Sequence, residues 1–379
     1  MRITAVDTVL LSWEMDEPLE YPPSRMTAWD NALIRIETDS GAVGWGEVFV
    51  SNSPHTHAEL IPGYVDIKGR YLEGKELADI PLNAIGGGHG YDGRVNGGIE
   101  LALWDLTAQS VGLPLHELLG SGTDTVRVYG SGGLGREIDQ RIEQAHRYAE
   151  RGFSVVKIRS FHEPEPTIRL VQQSFEQLDE DVSIALDAGP LRDRVPDAIR
   201  VGRALEAESE RVAWYEDPVH PRNPAAFNRV REALTVPVSG MESLTGLDAI
   251  EDVLAADAVD IVHSEVTIVG GVRELQRVAA LAATHDVSVV THGWGGAVAL
   301  LGNLHVAAAE ANCDAVEFCQ LPNPLRDEFL PDGFERDGDV VTLPDTPGLG
   351  VSIPDDVESR YPFSPPDDVT AGFAFGFSK

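Results

Sequence analysis

The chain has 379 residues, with 62 acids against 29 bases and a formal net charge of −33, so it repels phosphate backbones and anionic lipid; neither nucleic acid nor a membrane is an expected partner. Two cysteines, Cys313 and Cys319, exclude a disulfide scaffold and an all-cysteine zinc site. A 42% apolar content with steady periodicity excludes a disordered chain, and no apolar run reaches the ~18 residues of a membrane span.

In chain order, residues 3–13 and Ala32–Glu37 alternate apolar and polar and read as strands. Gly41–Phe49 reads as a hairpin return after the Asp39-Ser40-Gly41 turn. Glu14–Asp30 and Ser51–His57 read as polar, turn-rich stretches. Ile99–Leu119 carries apolar residues at helical spacing, broken by Pro114 and ended by Gly120. Residues 1–122 therefore read as an α+β unit.

From Val126 the grammar changes. Eight short β-rich runs alternate with amphipathic helical stretches such as Ile138–Arg151 and Val272–His285. The runs are 126–130, 154–160, 182–189, 211–218, 236–243, 259–266, 287–294 and 314–320. Eight strand–helix repeats fit a (β/α)8 barrel over residues 123–340. A doubly wound sheet is disfavoured, because no Gly-rich phosphate loop follows an early strand. Residues 341–379, entered through the strand-like VVTLP at 340–344, read as a tail packing back on the first unit.

In such a barrel, charges at the C-terminal strand ends face the active-site mouth. Seven successive runs each place ionisable residues there: Lys157 and Arg159, Asp187, Glu216, Glu242, Glu265, His292 and Glu317. Asp187, Glu216 and Glu242 are spaced 29 and 26 residues apart, one strand–helix unit each. Three buried carboxylates cannot all stay ionised without a cation. Hard oxygen ligands point to Mg²⁺, where zinc would draw on His or Cys. Glu265 lies 27 residues before His292, one unit away, so it would stand behind the imidazole and support it as a base. Lys157 and Arg159 share a face; both suit a substrate carboxylate, and Arg159 is too basic to be a general base. A Schiff-base role for Lys157 would leave the carboxylates idle. Glu317 reads either as a general acid or as a salt-bridge partner of Lys157.

These residues resemble the mandelate racemase branch of the enolase superfamily. The likeness runs over nearly the whole chain, from IELALWDLTAQSVGLPLHELLG at 99–120 through KIR, LDAG, YEDP, GMES, SEVTIVGG, THGW and VEFC in order. It implies a cap built from both termini over a (β/α)8 barrel, with Mg²⁺ on Asp187, Glu216 and Glu242. It implies removal of the proton α to a carboxylate, His292 being the base, Glu265 its partner and Glu317 an electrophilic group. Three departures stand out. Arg159 occupies the place of the second Lys of a Lys-x-Lys pair, Glu265 replaces an Asp, and Gly189 replaces an Asn. Muconate cycloisomerase and dipeptide epimerase relatives use paired lysines and no such His.

One strong base favours elimination of water from an acid sugar, giving a 2-keto-3-deoxy acid. A hydroxy-acid racemase or epimerase, or a metal-dependent acid-binding protein without turnover, are the alternatives. Tyr21, Arg25, Asn52 and His55 in the cap loops are candidates to touch a hydroxylated substrate. The resemblance also implies a homo-oligomer, from dimer to octamer. The opening MRITAVDTVLLSWEMDE turns acidic too early for a secretory signal, so a cytoplasmic protein is expected. With 25 arginines and four lysines beside the acid surplus, adaptation to high salt is also expected; screening to ~3 Å near 1 M salt relieves the self-repulsion.

Overall fold

The computed structural model describes residues 1–21, 24–50, 58–189 and 194–364. The N-terminal sheet is an antiparallel meander of β1 (Ile3–Tyr21), β2 (Ser24–Thr38) and β3 (Val43–Val48). The stretch Glu14–Asp30, expected as polar and turn-rich, is largely paired strand instead. Glu14 lies opposite Ala28 and Leu19 opposite Met26, with a register shift between them. The reason is alternation beneath the charges: Trp13, Met15 and Leu19 pack with Met26 and Trp29 against the main core. Pro18 falls inside the register shift, where a missing N–H disrupts no ladder bond. Trp29 Nε1 donates to Pro322 O at 2.8 Å and ties this hairpin to the barrel.

After α1 (Ile61–Gly69) comes α2 (Gly90–Val111), which starts nine residues before the expected Ile99. Gly93, Gly97 and Gly98 hide that first part from a periodicity reading, because glycine opposes helix by about 1 kcal/mol each. Close packing explains them. A Cβ on Gly97 would stand 2.7 Å from the Gly271 nitrogen, and one on Gly98 2.9 Å from the Glu47 carbonyl. The helix ends at Gly112, whose φ of 74° suits a residue without Cβ, and α3 (Leu115–Leu118) follows Pro114.

The barrel strands are β4 (Thr125–Ser131), β5 (Val155–Arg159), β6 (Ser183–Asp187), β7 (Val212–Glu216), β8 (Val238–Gly240), β9 (Ile261–Ser264), β10 (Ser288–Thr291) and β11 (Cys313–Cys319). Between them run α4 (Ile138–Glu150), α5 (Pro164–Gln177), α6 (Val195–Leu205), α7 (Pro224–Arg231), α8 (Leu247–Ala255), the short α9 (Val266–Val269), α10 (Val272–Thr284) and α11 (Ala297–Ala309). Each strand pairs parallel with the next, and β11 pairs with β4, so the barrel closes. Six of the eight strands fall within the runs read from the sequence, β4 overruns its run by one residue at each end and β11 starts one residue early, and the fold is a (β/α)8 barrel with an N-terminal antiparallel cap. Beyond α12 (Pro324–Asp327), a small hairpin of β12 (Glu335–Asp337) and β13 (Val340–Thr342) pairs with the N-terminal half of β4. The chain then passes the cap, with Leu349 N donating to Asp105 on α2 at 2.8 Å, before α13 (Val357–Arg360).

A buried histidine pair joins these parts. The backbone N–H of His116 on α3 donates to Nδ1 of His305 on α11 at 3.1 Å. His305 Nε2 faces the Leu349 carbonyl at 3.3 Å and acts as the donor. His305 therefore needs a bare Nδ1 and must stay neutral. Burial, reinforced by the His116 ring, pushes it down to about 3 from an ordinary 6.5. The folded state thus binds fewer protons than the unfolded chain, and stability falls as pH drops from about 6.5 towards 3. In His305→Gln the amide keeps one acceptor and one donor without titrating. The variant's urea midpoint should fall less over that interval than the wild type's; parallel pH profiles would contradict the assignment.

Candidate active site

The site forms where the barrel strands end. Asp187 and Glu216 are the last residues of β6 and β7 and lie opposite each other in register. Arg159 ends β5 opposite Asp187, and its guanidinium lies 2.5 Å from Asp187 Oδ2. The same guanidinium stacks on the Trp294 ring at 4.7 Å. Two residues earlier, on the same face, Lys157 is fully buried. Its Nζ lies 3.1 Å from Glu216 Oε1 and 2.7 Å from Glu317 Oε1.

Glu317 is the most heavily bonded carboxylate of the group. Besides Lys157 it accepts from Trp294 Nε1 at 2.8 Å, from Gly293 N at 3.1 Å and from the Ser131 hydroxyl. Burial works to raise its pKa, but Lys157, His292 and Arg159 together hold it well below the usual carboxylate range. Of the two sequence readings for Glu317, this geometry is that of the Lys157 partner. Glu216 is shifted the other way. Burial raises it, Lys157 only partly offsets this, and the like charges of Asp187, Glu242 and Glu317 add to the rise. Glu216 also accepts from Trp214 Nε1 at 3.1 Å, and His263 Nδ1 lies 3.5 Å away.

His292 follows β10 and Glu265 follows β9, and adjacent strands bring them together. His292 Nδ1 is 2.5 Å from Glu265 Oε2, while the Thr267 hydroxyl donates to the other Glu265 oxygen. This contact turns Nδ1 to Glu265 and directs Nε2 towards the mouth, 3.7 Å from Glu242 Oε2. Burial lowers the imidazole's pKa, but Glu242 and Glu265 outweigh it and raise it to about 9. Asn303 holds both strand ends, accepting from Val266 N and donating to the His292 carbonyl, each at 3.0 Å. The cap closes the other side. The Phe49 ring meets His292 edge-on at 5.6 Å, and Glu47 accepts from Gly296 N and Ala299 N at the start of α11.

All eight strand-end candidates thus stand at one mouth. Asn52 and His55 lie outside the described residues, as do the side chains of Tyr21 and Arg25. Trp214, His263, Trp294, Ser131, Phe49 and Glu47 join the site without being candidates from sequence. Period-two spacing identifies Trp214, His263 and Trp294, two residues before or after Glu216, Glu265 and His292; Ser131 ends β4, whose run has no ionisable residue at its end. Glu47 and Phe49 come from the cap, and no local pattern marks them.

Among the described residues, no three acid, imidazole or thiol groups stand close enough together to cage a metal as placed. Asp187 and Glu216 instead face Arg159 and Lys157. The donor chemistry nevertheless fits a hard cation. The three strand-end carboxylates supply oxygen donors, and the buried Glu242 Oε2 has no hydrogen-bond partner.

A closed barrel with a cap over a mouth of carboxylates, a lysine and a His–Glu pair defines a barrel enzyme. Two families match this chain: the Enolase C-terminal domain-like family over residues 140–357 and the mandelate racemase / muconate lactonizing enzyme N-terminal domain over residues 4–120. The chain belongs to the mandelate racemase/muconate lactonizing enzyme group of the enolase superfamily. It is 32% identical to the D-galactarolactone cycloisomerase of Agrobacterium fabrum, covering 95% of this chain and 99% of that one. It is 30% identical to the arabinonate dehydratase of Saccharolobus solfataricus, over 70% of this chain and 71% of that one. A solved enolase-superfamily member from Polaromonas sp. JS666 superposes with a TM-score of 0.84 at 26% identity, covering 97% of this chain and 99% of that one.

Lys157→Met removes the cation shared by two buried acids. It should destabilise the protein by about 3–5 kcal/mol, as unpairing a buried charge does. Adding Glu317→Gln should restore part of that loss in urea unfolding. Additive losses in the double variant would contradict the shared-cation geometry.

Proposed function

We propose that this protein removes the proton α to the carboxylate of a polyhydroxy acid and expels the oxygen on the β carbon, dehydrating an acid sugar to a 2-keto-3-deoxy acid. The observation that carries the reading is the one-sided disposition of proton-transfer groups. His292 presents Nε2 to the mouth with Glu265 locked behind Nδ1. On the opposite strands, Lys157 and Arg159 are each committed to carboxylates. Arg159 cannot lose its proton, and Glu216 and Glu317 hold the Lys157 ammonium against deprotonation. Inverting a stereocentre needs a second base on that far face; elimination does not.

We infer that Mg²⁺ is the cofactor, held by Asp187, Glu216 and Glu242. When bound there it supplies Lewis-acid stabilisation of the charge that builds on the substrate carboxylate. Around it, Lys157 and Arg159 attract the substrate anion. His292 Nε2 takes the α proton, and Glu265 steadies the imidazolium that results. Held in place by Glu265, that imidazolium hands the proton to the departing oxygen on the same face.

The likeness to the D-galactarolactone cycloisomerase over nearly the whole chain favours a second reading. There the same proton is removed, but the leaving oxygen belongs to a ring, so no water is released. An epimerase remains the remote alternative, with Lys157 as its second base.

A library of acid sugars and their lactones, incubated with Mg²⁺ in D₂O, separates the readings. Dehydration gives a keto acid lighter by one water, and ring opening gives a product of unchanged composition apart from exchanged hydrogen. Recovered substrate that is inverted and deuterated at Cα would overturn elimination. His292→Asn should lower turnover by about 10²–10⁴-fold, the usual worth of a general base, while the acid still binds; near-normal turnover would remove His292 from its role.

A further inference from the structure

Arg94 is a cation on the first turns of α2. Its guanidinium lies 5.6 Å from the Phe49 ring and 5.8 Å from the Tyr91 ring, and it makes one hydrogen bond, to the Phe49 carbonyl at 3.3 Å. It has no ion pair among the described residues, and residues 51–57, which come soon after Phe49 in the chain, contain no Asp or Glu. In a chain with 62 acids and 29 bases this is unusual. Many other arginines sit against carboxylates, as Arg231 does on Asp260 at 2.7 Å and Arg277 on Glu274 at 2.5 Å. Shielded arginines that lack an acid, such as Arg141 and Arg211, differ as well. Arg211 fills its fork with the carbonyls of Phe175, Leu178 and Asp179 at 2.8–3.0 Å. Arg94 is half-buried yet, among the described residues, leaves most of its planar fork unused, an arrangement that costs free energy until an anion arrives.

Its position says which anion. Phe49 has Arg94 on one side and His292 on another, its ring 5.6 Å from each, so the guanidinium and the imidazole are at most about 11 Å apart. That is within the reach of a short hydroxylated chain whose α carbon lies at His292. Arg94 is also near enough to feel the charge of Glu265. A single guanidinium between two aromatic rings matches a planar, singly charged carboxylate through two parallel hydrogen bonds. A phosphate dianion would call for more donors than this site offers.

We propose that Arg94 receives a second carboxylate at the far end of the substrate, so that the preferred acid is a sugar diacid or its lactone rather than a monoacid. The proposal rests on the α-proton reading and narrows its substrate class. Arg94 touches the substrate away from the reacting atoms and sets specificity.

The test compares matched acids that differ only in ending with a carboxylate, a hydroxymethyl group or a phosphorylated hydroxymethyl group. The full-length protein and its Arg94→Met and Arg94→Lys variants are assayed for kcat/KM, for Cα deuterium exchange and, by calorimetry, for affinity. The wild type should favour the diacid over the monoacid by about 10- to 100-fold, the worth of one charge-assisted pair. Arg94→Met should bring that ratio close to one, mainly through KM and affinity, and Arg94→Lys should recover part of it. A wild type indifferent to the terminal group, a preference that survives Arg94→Met, or a preference for the phosphorylated acid would overturn the proposal while leaving the α-proton reading in place. Absence of Cα exchange with every acid would instead overturn both.

Discussion

Like charges packed into a water-poor barrel mouth repel strongly, and the architecture of this protein follows from how that repulsion is contained. Asp187, Glu216, Glu265 and Glu317 are buried and Glu242 is partly so. Against them stand two permanent cations and one imidazole. Lys157 bridges Glu216 and Glu317, Arg159 neutralises Asp187, and His292 lies between Glu265 and Glu242. The balance is uneven. Glu216 is pushed up while Glu317 is pushed down, and Glu242 keeps an unbonded oxygen. A site left with surplus negative charge at adjacent strand ends is poised for a further cation, and the same surplus raises the imidazole that would move the proton.

The cap takes part in that arrangement. Glu47, from β3, holds the N-terminus of α11, the helix that begins shortly after His292. Burial raises it to about 7, with the nearby Glu265 charge adding to the rise. Phe49, two residues on, seals one edge of the imidazole and carries Arg94 on its face. Glycines of α2 let the helix backbone approach β3 and the Gly270–Gly271 turn at contact distance. The cap and the barrel therefore meet through close backbone contacts beside the base, which is why residues far apart in sequence share one seam.

The barrel is legible in the sequence because its signals are local. Eight β-rich runs, nearly all ending in an ionisable residue, define strands and mouth together, and the strand period places Lys157 and Arg159 on one face. The features that sequence reasoning misses depend on contacts between distant segments. The hairpin through Glu14–Asp30 looks like a loop until Met26 and Trp29 are seen in the core. The start of α2 looks like a glycine-rich linker until its neighbours are known. The pairing of Lys157 with both Glu216 and Glu317 is open in the sequence, because a lysine's reach does not reveal which acid its strand neighbours will present. Arg94 carries no signal at all, since the absence of a partner is a property of three-dimensional surroundings.

The proposed chemistry turns on our proposal that the unbalanced carboxylates at the ends of β6, β7 and β8 hold a divalent ion. Crystals grown with Mn²⁺ in place of Mg²⁺ and measured for anomalous scattering test it directly. One strong peak shared by Asp187, Glu216 and Glu242 is expected, lost in Glu242→Gln. Crystals with no peak at the strand ends, and with Asp187 and Glu216 still held only by Arg159 and Lys157, would contradict it.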